Sequence, residues 1–362
     1  MPQSTPPARH RPVEETKRLR GGVKSPRGGV NPEGDKLAAM RSFFLQGVAG
    51  GATLDSREVS PPQAAAGQLL VKMRAASLNR GELIVGHGLL KPGAAKPAGM
   101  EGAGEVAALG PGVTGFQVGQ RVMGRCAGAF SELAVMDVRE AIPMPANLSW
   151  EEGAAIPLTF LVVHDMLVLQ GHLKSGEWVL VTGISSGVGV ASLQLAKEMG
   201  ARVIGTSGST EKLERLKAHG LDVALHTRVA DFHDAAMKAT DGNGVNLVVN
   251  TVGGSVFAEC VRSMAFQGRL ATVGYVDNTL KAEIDIQALH AKRLTIFGVS
   301  NKMRSPEQRA SGVPAFVRDV MPAIAAGRIR PIIDRTYPFD QLPEARARME
   351  SNQHLGKIVV AI

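Results

Sequence analysis

A chain of 362 residues that is 44% hydrophobic and 20% charged has the apolar content for two cored domains, which excludes a disordered chain, a coiled coil or a collagen. Its only cysteines, Cys126 and Cys260, exclude a disulfide scaffold and a four-cysteine zinc lobe. The net charge of +8 is unevenly spread: residues 1–39 hold eight Lys or Arg against four Asp or Glu, half of the excess.

That opening stretch is rich in Pro, Gly and Arg and lacks an apolar period. It also has no Phe, Tyr or Trp on which a base would stack. Its composition predicts a disordered basic tail, with a nucleic-acid arm as the competing reading. No apolar leader precedes Met40, where "MRSFFLQG" begins the folded part. The longest charge-free stretch, 178–196, contains Gly183, Gly187, Gly189 and three serines, so it reads as strand, turn and helix and not as a membrane span. A cytoplasmic location is the default expectation.

From Met40 to about Pro157 the pattern is β. "GQLLVKMRAASLN", "GAGEVAALGPGV", "VGQRVMGR" and "GAFSELAVM" are short apolar runs divided by Gly and Pro. The pattern changes near residue 160. "WVLVT" predicts a buried strand, "GISSGVG" a turn, and Val190, Leu193, Ala196 and Met199 a helix that Gly200 ends. "RVIGT" predicts a second strand and "STEKLERLKAHG" a helix capped by Ser209. "VNLVVN", "GRLATVG" and "LTIFGVS" are further apolar runs. After Ser300 come a helical stretch, "PAFVRDVMPAIAAG", and two strands, "IIDRTY" and "KIVVAI". Strands alternating with helices predict an α/β fold with a doubly wound parallel sheet.

The turn "VLVTGISSGVGVASLQLAK" carries the most chemistry. A strand-to-helix turn aims backbone N–H groups and the positive helix end at one point, which suits a pyrophosphate. Gly183, Gly187 and Gly189 let the backbone approach the ligand, and Ser186 and Val188 lie in the same turn. The competing reading is a plain tight turn. The spacing is not a strict G-x-G-x-x-G, so the weight rests on the strand before and the βα unit after. A dinucleotide fold that prefers NAD places an acid about twenty residues on, near the end of the second strand. Here "GTSGSTEK" puts Ser207 there, followed by Ser209 and Lys212, a set suited to a 2′-phosphate and hence to NADPH. Lys212 as a merely solvated helix residue is the alternative.

These segments, together with "SLNRGEL", "IPLTFLVVHDML" and "HLGKIVVAI", resemble the medium-chain dehydrogenase/reductase superfamily over residues 40–362, and within it the zinc-free quinone oxidoreductase, zeta-crystallin-like branch. The resemblance implies a GroES-like catalytic domain from residues 40–160 and 302–362 and a Rossmann NADP-binding domain from 161–301. It implies that Asn79 lies beside nicotinamide and substrate, with a turn-satisfying Asn as the alternative, and that Thr159 contacts the carboxamide, with helix-start capping as its alternative. It further implies that Val252, Gly274 and Tyr275 border the cofactor, Tyr275 being equally suited to a core. Thr227 or Arg228 stands where relatives place a tyrosine near the 2′-phosphate.

Zinc-dependent relatives use an early Cys and a Gly-His-Glu histidine. This chain has Asn79 and Met100 at those places, and a thioether does not replace imidazole for Zn²⁺. His87, His164 and His172 read as surface or packing residues. No metal is expected. Quinone reductases and enoyl-thioester reductases carry tyrosines where this chain has "ELIVGHGLL", with Ile84 and Leu90, which weakens the thioester reading. The expected function is NADPH-dependent hydride transfer to a small electrophile, a quinone or α,β-unsaturated carbonyl. The alternatives are an enoyl-thioester reductase and a non-catalytic NADPH-binding, transport-associated or RNA-binding relative. The apolar "LTIFGVS", placed by the resemblance near a sheet edge, predicts a homodimer.

Overall fold

The run "QLLVKMRAAS" forms the strand Gln68–Ser77, whose buried residues outnumber its exposed ones because sheet neighbours cover both flanks. It pairs antiparallel with Glu101–Leu109 on one side and with Lys357–Ala361, from the far end of the chain, on the other. The structure, a computed structural model, describes residues 39–48, 51–83 and 93–362. The basic tail through residue 38 and the stretch from Ile84 to Leu90, with His87, lie outside the described residues.

Seven strands make the first sheet. Along it run Ile333–Pro338, Lys357–Ala361, Gln68–Ser77, Glu101–Leu109, Arg121–Arg125 and Ala141–Pro143, while Leu133–Asp137 pairs with Gln68–Ser77. A three-stranded sheet of Gly51–Val59, Met40–Val48 and Ala95–Pro97 accompanies it.

The second sheet has six strands, and every pairing in it is parallel. Its order is Val223–His226, Arg202–Ser207, Trp178–Thr182, Val245–Asn250, Met264–Thr272 and Thr295–Gly298. Counted in chain order this is 3-2-1-4-5-6, the doubly wound dinucleotide arrangement, with its switch point between Trp178–Thr182 and Val245–Asn250. "TIFG" is an edge strand, as the resemblance implies.

Between the sheets runs the helix Pro157–His164, continued by a π-helical turn, Asp165–Gln170. Ile156, Phe160, Val163 and Met166 join one core cluster that includes Ala103 and Met123 of the first sheet and Val179 and Val249 of the second. Burying Phe160 and its neighbours contributes about 1.5–3 kcal/mol per side chain, so this helix is a stiff hub between the two sheets. His164 is a packing histidine: it is buried, with Nε2 3.0 Å from Asp319 Oδ2, and its ring meets Phe316 edge-on. The stretch "PAFVRDVMPAIAAG" is not one helix. It breaks at Val320 into Val313–Asp319 and Met321–Ala325, because Pro322 cannot donate a hydrogen bond to the preceding turn and disfavours helical geometry before it.

Candidate active site

Strand Trp178–Thr182 ends at Gly183, whose φ of 62° is open to glycine and strained for other residues. Three residues later Ser186 caps the helix Gly187–Glu198, its hydroxyl accepting the Gly189 N–H at 3.1 Å. A Cβ on Gly189 would stand 2.5 Å from the Ile184 carbonyl oxygen, so the helix start lies directly on the turn's backbone. Gly183, Ser186, Gly187, Val188 and Gly189 thus form one cradle at a helix N-terminus, beyond the carboxyl end of a central strand and at the switch point. A pyrophosphate fits there because the helix dipole and the first-turn N–H groups favour an anion. The end of the chain crosses the same turn: the Gly356 N–H donates to the Ser185 carbonyl at 3.0 Å.

The next strand carries the ribose end of the cradle. The Ser207 hydroxyl is buried, lies 3.4 Å from Ser185 Oγ and accepts the Ser209 N–H at 3.3 Å. Ser209 caps the helix Thr210–Lys217 by accepting the Lys212 N–H. Lys212 is partly buried, and its Nζ donates to the Asn352 carbonyl at 2.8 Å. Desolvation by burial lowers its pKa, and the nearby Arg348 and Arg228 lower it further. The Arg228 side chain lies across Gly208 and donates to its carbonyl at 3.4 Å. Thr227 is placed beside Ser207 by its backbone, but its hydroxyl is held in its own loop by Asp231 Oδ1 at 2.5 Å and the Val229 carbonyl. His354 adds to this neighbourhood. Burial, then Arg80 and Lys212, push it down to about 4, so it is neutral, and its Nδ1 has no partner. Lys212, Arg228, Arg80 and Arg348 gather here, with Asp334 pairing Arg348 at 3.1 Å.

Val252, Gly274 and Tyr275 stand beyond the carboxyl ends of the two following strands. Register pairs Asn250 with both Thr182 and Thr272, which aligns these loops beside Gly183. The Val252 N–H donates to Asn250 Oδ1 at 3.0 Å, and a Cβ on Gly274 would stand 2.9 Å from the Thr251 carbonyl oxygen. The Tyr275 carbonyl accepts the Asn278 N–H. Thr159 is buried in the first turn of Pro157–His164, in a small recess shared with Gly187, Gly356 and Lys357.

Asn79 belongs to a network that the sequence does not announce. Its Nδ2 donates to Glu101 Oε1 at 2.8 Å, and its Oδ1 accepts from Lys357 Nζ at 2.9 Å. Lys357 also donates to Glu101 Oε1 at 2.9 Å and to the Leu78 carbonyl at 3.0 Å, so all three of its N–H bonds are spent. Glu101 accepts in addition from Ser77 Oγ at 2.6 Å and from the Leu158 N–H at 2.7 Å. The side chains of Lys357 and Glu101 are 6% and 0% exposed, a buried pair that is tolerable only because every polar atom is satisfied. The network holds the Asn79 amide in one orientation and ties it through Leu158 to the helix bearing Thr159. Sequence reasoning reached Asn79 and Thr159 and missed Glu101 and Lys357. A lysine opening an otherwise apolar strand, "KIVVA", was the available sign.

The donors that a zinc ion needs do not converge here. No group of three or more His, Cys, Asp or Glu side chains meets among the described residues. Glu101 is committed to four hydrogen bonds, and the Lys357 ammonium beside it would repel a second cation. Burial pushes the nearby Cys126 thiol up to about 12, far from the thiolate that binds zinc.

A family model described as the alcohol dehydrogenase GroES-like domain matches residues 65–146, and one described as zinc-binding dehydrogenase matches residues 187–313. The acryloyl-coenzyme A reductase of Metallosphaera sedula is 29% identical over 334 residues, covering 84% of this chain and 95% of that enzyme. The spectinabilin polyketide synthase system protein NorB of Streptomyces orinoci is 31% identical over 322 residues, 87% of this chain but only 14% of that much longer protein. Mycobacterial Rv1454c, solved in complex with NADPH, superposes with a TM-score of 0.78 at 26% identity, over 89% of this chain and all of that one. No described helix is long and apolar enough to cross a membrane.

Proposed function

For a chain that belongs to the medium-chain dehydrogenase/reductase superfamily, as this one does, we propose NADPH-dependent transfer of hydride to an α,β-unsaturated carbonyl or quinone, without zinc. The observation that carries this reading is the amide of Asn79 held by Glu101 and Lys357 next to the Gly183–Gly189 cradle. When bound, NADPH supplies the hydride and its carrier chemistry. The cradle holds its pyrophosphate, and Ser207, Ser209, Lys212 and Arg228 receive its 2′-phosphate. The Thr159 hydroxyl, which has no hydrogen bond among the described residues, meets the carboxamide. Asn79 has a second amide hydrogen, whose sole contact is a long one of 3.5 Å to the Ser77 carbonyl. It turns that donor to the substrate carbonyl and stabilises the negative charge that gathers on the oxygen. A donor fixed in advance costs no reorganisation during the reaction, which is what the buried Lys357–Glu101 pair provides.

A second reading, an enoyl thioester as substrate, is favoured by the likeness to acryloyl-coenzyme A reductase, which spans nearly that whole enzyme. NADPH oxidation measured against quinones, enones, enals and enoyl thioesters decides between the two. No turnover of any of them, with NADPH bound, points instead to a binding protein.

Cofactor preference follows from Ser207. A carboxylate there would pair with Lys212 and Arg228 and repel a 2′-phosphate, so Ser207→Asp should reverse the preference toward NADH. Lys212→Ala should raise the KM for NADPH about ten- to a hundredfold, since a charge-assisted contact contributes roughly 1.5–3 kcal/mol, and leave NADH nearly untouched. Equal losses with both cofactors would exclude a phosphate role for Lys212.

Zinc independence is tested directly. Protein stripped with a chelator and assayed in its presence should keep its full rate and hold far less than one zinc per chain. Stoichiometric zinc, lost together with activity, would overturn the zinc-free mechanism.

A further inference from the structure

Reduction of a conjugated carbonyl needs a proton as well as a hydride, and the groups described so far have none to spare. Lys357 spends all three N–H bonds, and Glu101 only accepts. Glu82 differs. It lies one turn beyond Asn79, and its N–H donates to the Asn79 carbonyl at 3.1 Å. Its Oε1 accepts the N–H of Gly99, two residues before Glu101. Its Oε2 is buried with no hydrogen-bond partner, and the residue is 5% exposed. The carboxyl therefore ties the Asn79 turn to the segment leading into the strand Glu101–Leu109, beside the Asn79 network.

The titratable groups around it come from four elements. They are Lys96 of strand Ala95–Pro97, Glu101, Lys357, and the thiol of Cys126 after strand Arg121–Arg125. Lys357 is already paired with Glu101, so a second ionised carboxylate would have no committed cation. Burial pushes Glu82 up to about 7, with Glu101 adding to the shift, while the Gly99 N–H and Lys96 oppose it.

We propose that Glu82 is the proton-holding acid of this site, a neutral carboxylic acid that supplies the proton for the reduction. The inference rests on the reductase reading above. As hydride reaches the β-carbon, the C=C electron pair moves toward the α-carbon and carbonyl as an enolate. The O–H bond of Glu82 then breaks and a C–H bond forms at the α-carbon. The electron pair stays on the Glu82 carboxylate, which regains a proton from water.

Two measurements test this. In the cofactor-free protein labelled with carboxyl-¹³C glutamate, one glutamate should titrate near pH 7 by NMR, and Glu82→Gln should remove that resonance. If every glutamate titrates in the ordinary range of about 4 to 5, or if the pH 7 resonance survives in Glu82→Gln, the proposal is wrong. With NADPH and an enone, Glu82→Gln should lower kcat roughly 10²- to 10⁴-fold, leave the KM for NADPH in place and abolish the fall in rate above pH 7, while Glu82→Asp should keep a titrating limb. A wild-type rate and pH profile in Glu82→Gln would remove the donor role even with the NMR result in hand. A wild type that reduces nothing in the panel overturns the reductase reading and the donor role together, whereas the NMR titration is independent of that reading.

Folding is not expected to confound the variant. Glutamine copies the neutral acid's shape and keeps an acceptor for the Gly99 N–H. Because the folded pKa is raised, the wild type loses stability as pH climbs from about 4.5 to about 7, and Glu82→Gln escapes that loss, so its Tm above pH 7 should exceed the wild type's.

Discussion

Lys357→Met should destabilise the protein by about 3–5 kcal/mol and nearly abolish activity. Methionine keeps the unbranched length but removes the ammonium. Glu101 is then left buried with no cation, the Leu78 carbonyl loses its donor, and Asn79 Oδ1 loses the bond that fixes its rotation. The penalty comes mainly from the stranded carboxylate, because the pair itself roughly balances its own desolvation. Adding Glu101→Gln should therefore restore much of the stability while leaving activity low, since the amide of Asn79 is still unanchored. Urea unfolding of the two single variants and the double variant measures the coupling, which contacting residues in one network should set at about 0.5–3 kcal/mol. A Lys357→Met protein within about 1 kcal/mol of wild type would show that the buried pair does not hold the site.

Gly189→Ala should cripple cofactor binding with a smaller loss of stability. The added methyl meets the Ile184 carbonyl oxygen, Cα and carbonyl carbon at 2.5, 2.6 and 2.7 Å, all of them backbone, so the turn itself must move. Overpacking of this kind costs about 1–3 kcal/mol. The larger effect falls on the ligand: shifting the helix start by about 1 Å misaligns the N–H groups meant for the pyrophosphate and should weaken NADPH binding roughly 10²-fold. Gly298→Ala is the control, because a Cβ there meets nothing within 4 Å. Fluorescence titration of NADPH in the absence of substrate compares the two. Equal Kd values for Gly189→Ala and Gly298→Ala would rule out the cradle as the anion site.

Local chemistry made the cofactor half of the site legible. Strand Trp178–Thr182, the Ser186 and Ser209 caps and the end of the helix before Gly200 all follow from residues within a few positions of one another. Even there, contacts modified the reading. Thr227 has the right place in the chain, but Asp231 holds its hydroxyl, whereas Arg228 folds over Gly208. Lys212 was expected as a cation reaching back from a helix start, and its bond to Asn352 comes from a segment 140 residues away.

The sequence by itself determined the alternation of strand and helix, the glycine turn between a strand and a helix and the absence of an acid at Ser207, and its resemblance to the family marked Asn79 and Met100 as standing at zinc-ligand places. Hydrophobic period, capping and backbone freedom are properties of short segments, so they survive without a structure. Only the tertiary structure decided how Asn79 is held. Lys357 lies 278 residues from Asn79 and 256 from Glu101, and they meet because the last strand pairs beside Gln68–Ser77 and that strand beside Glu101–Leu109. The tertiary structure also decided that Glu82 is buried with an oxygen unanswered. Charge in a protein interior is governed by what surrounds it, and for these residues the surroundings come from chain segments far removed in sequence.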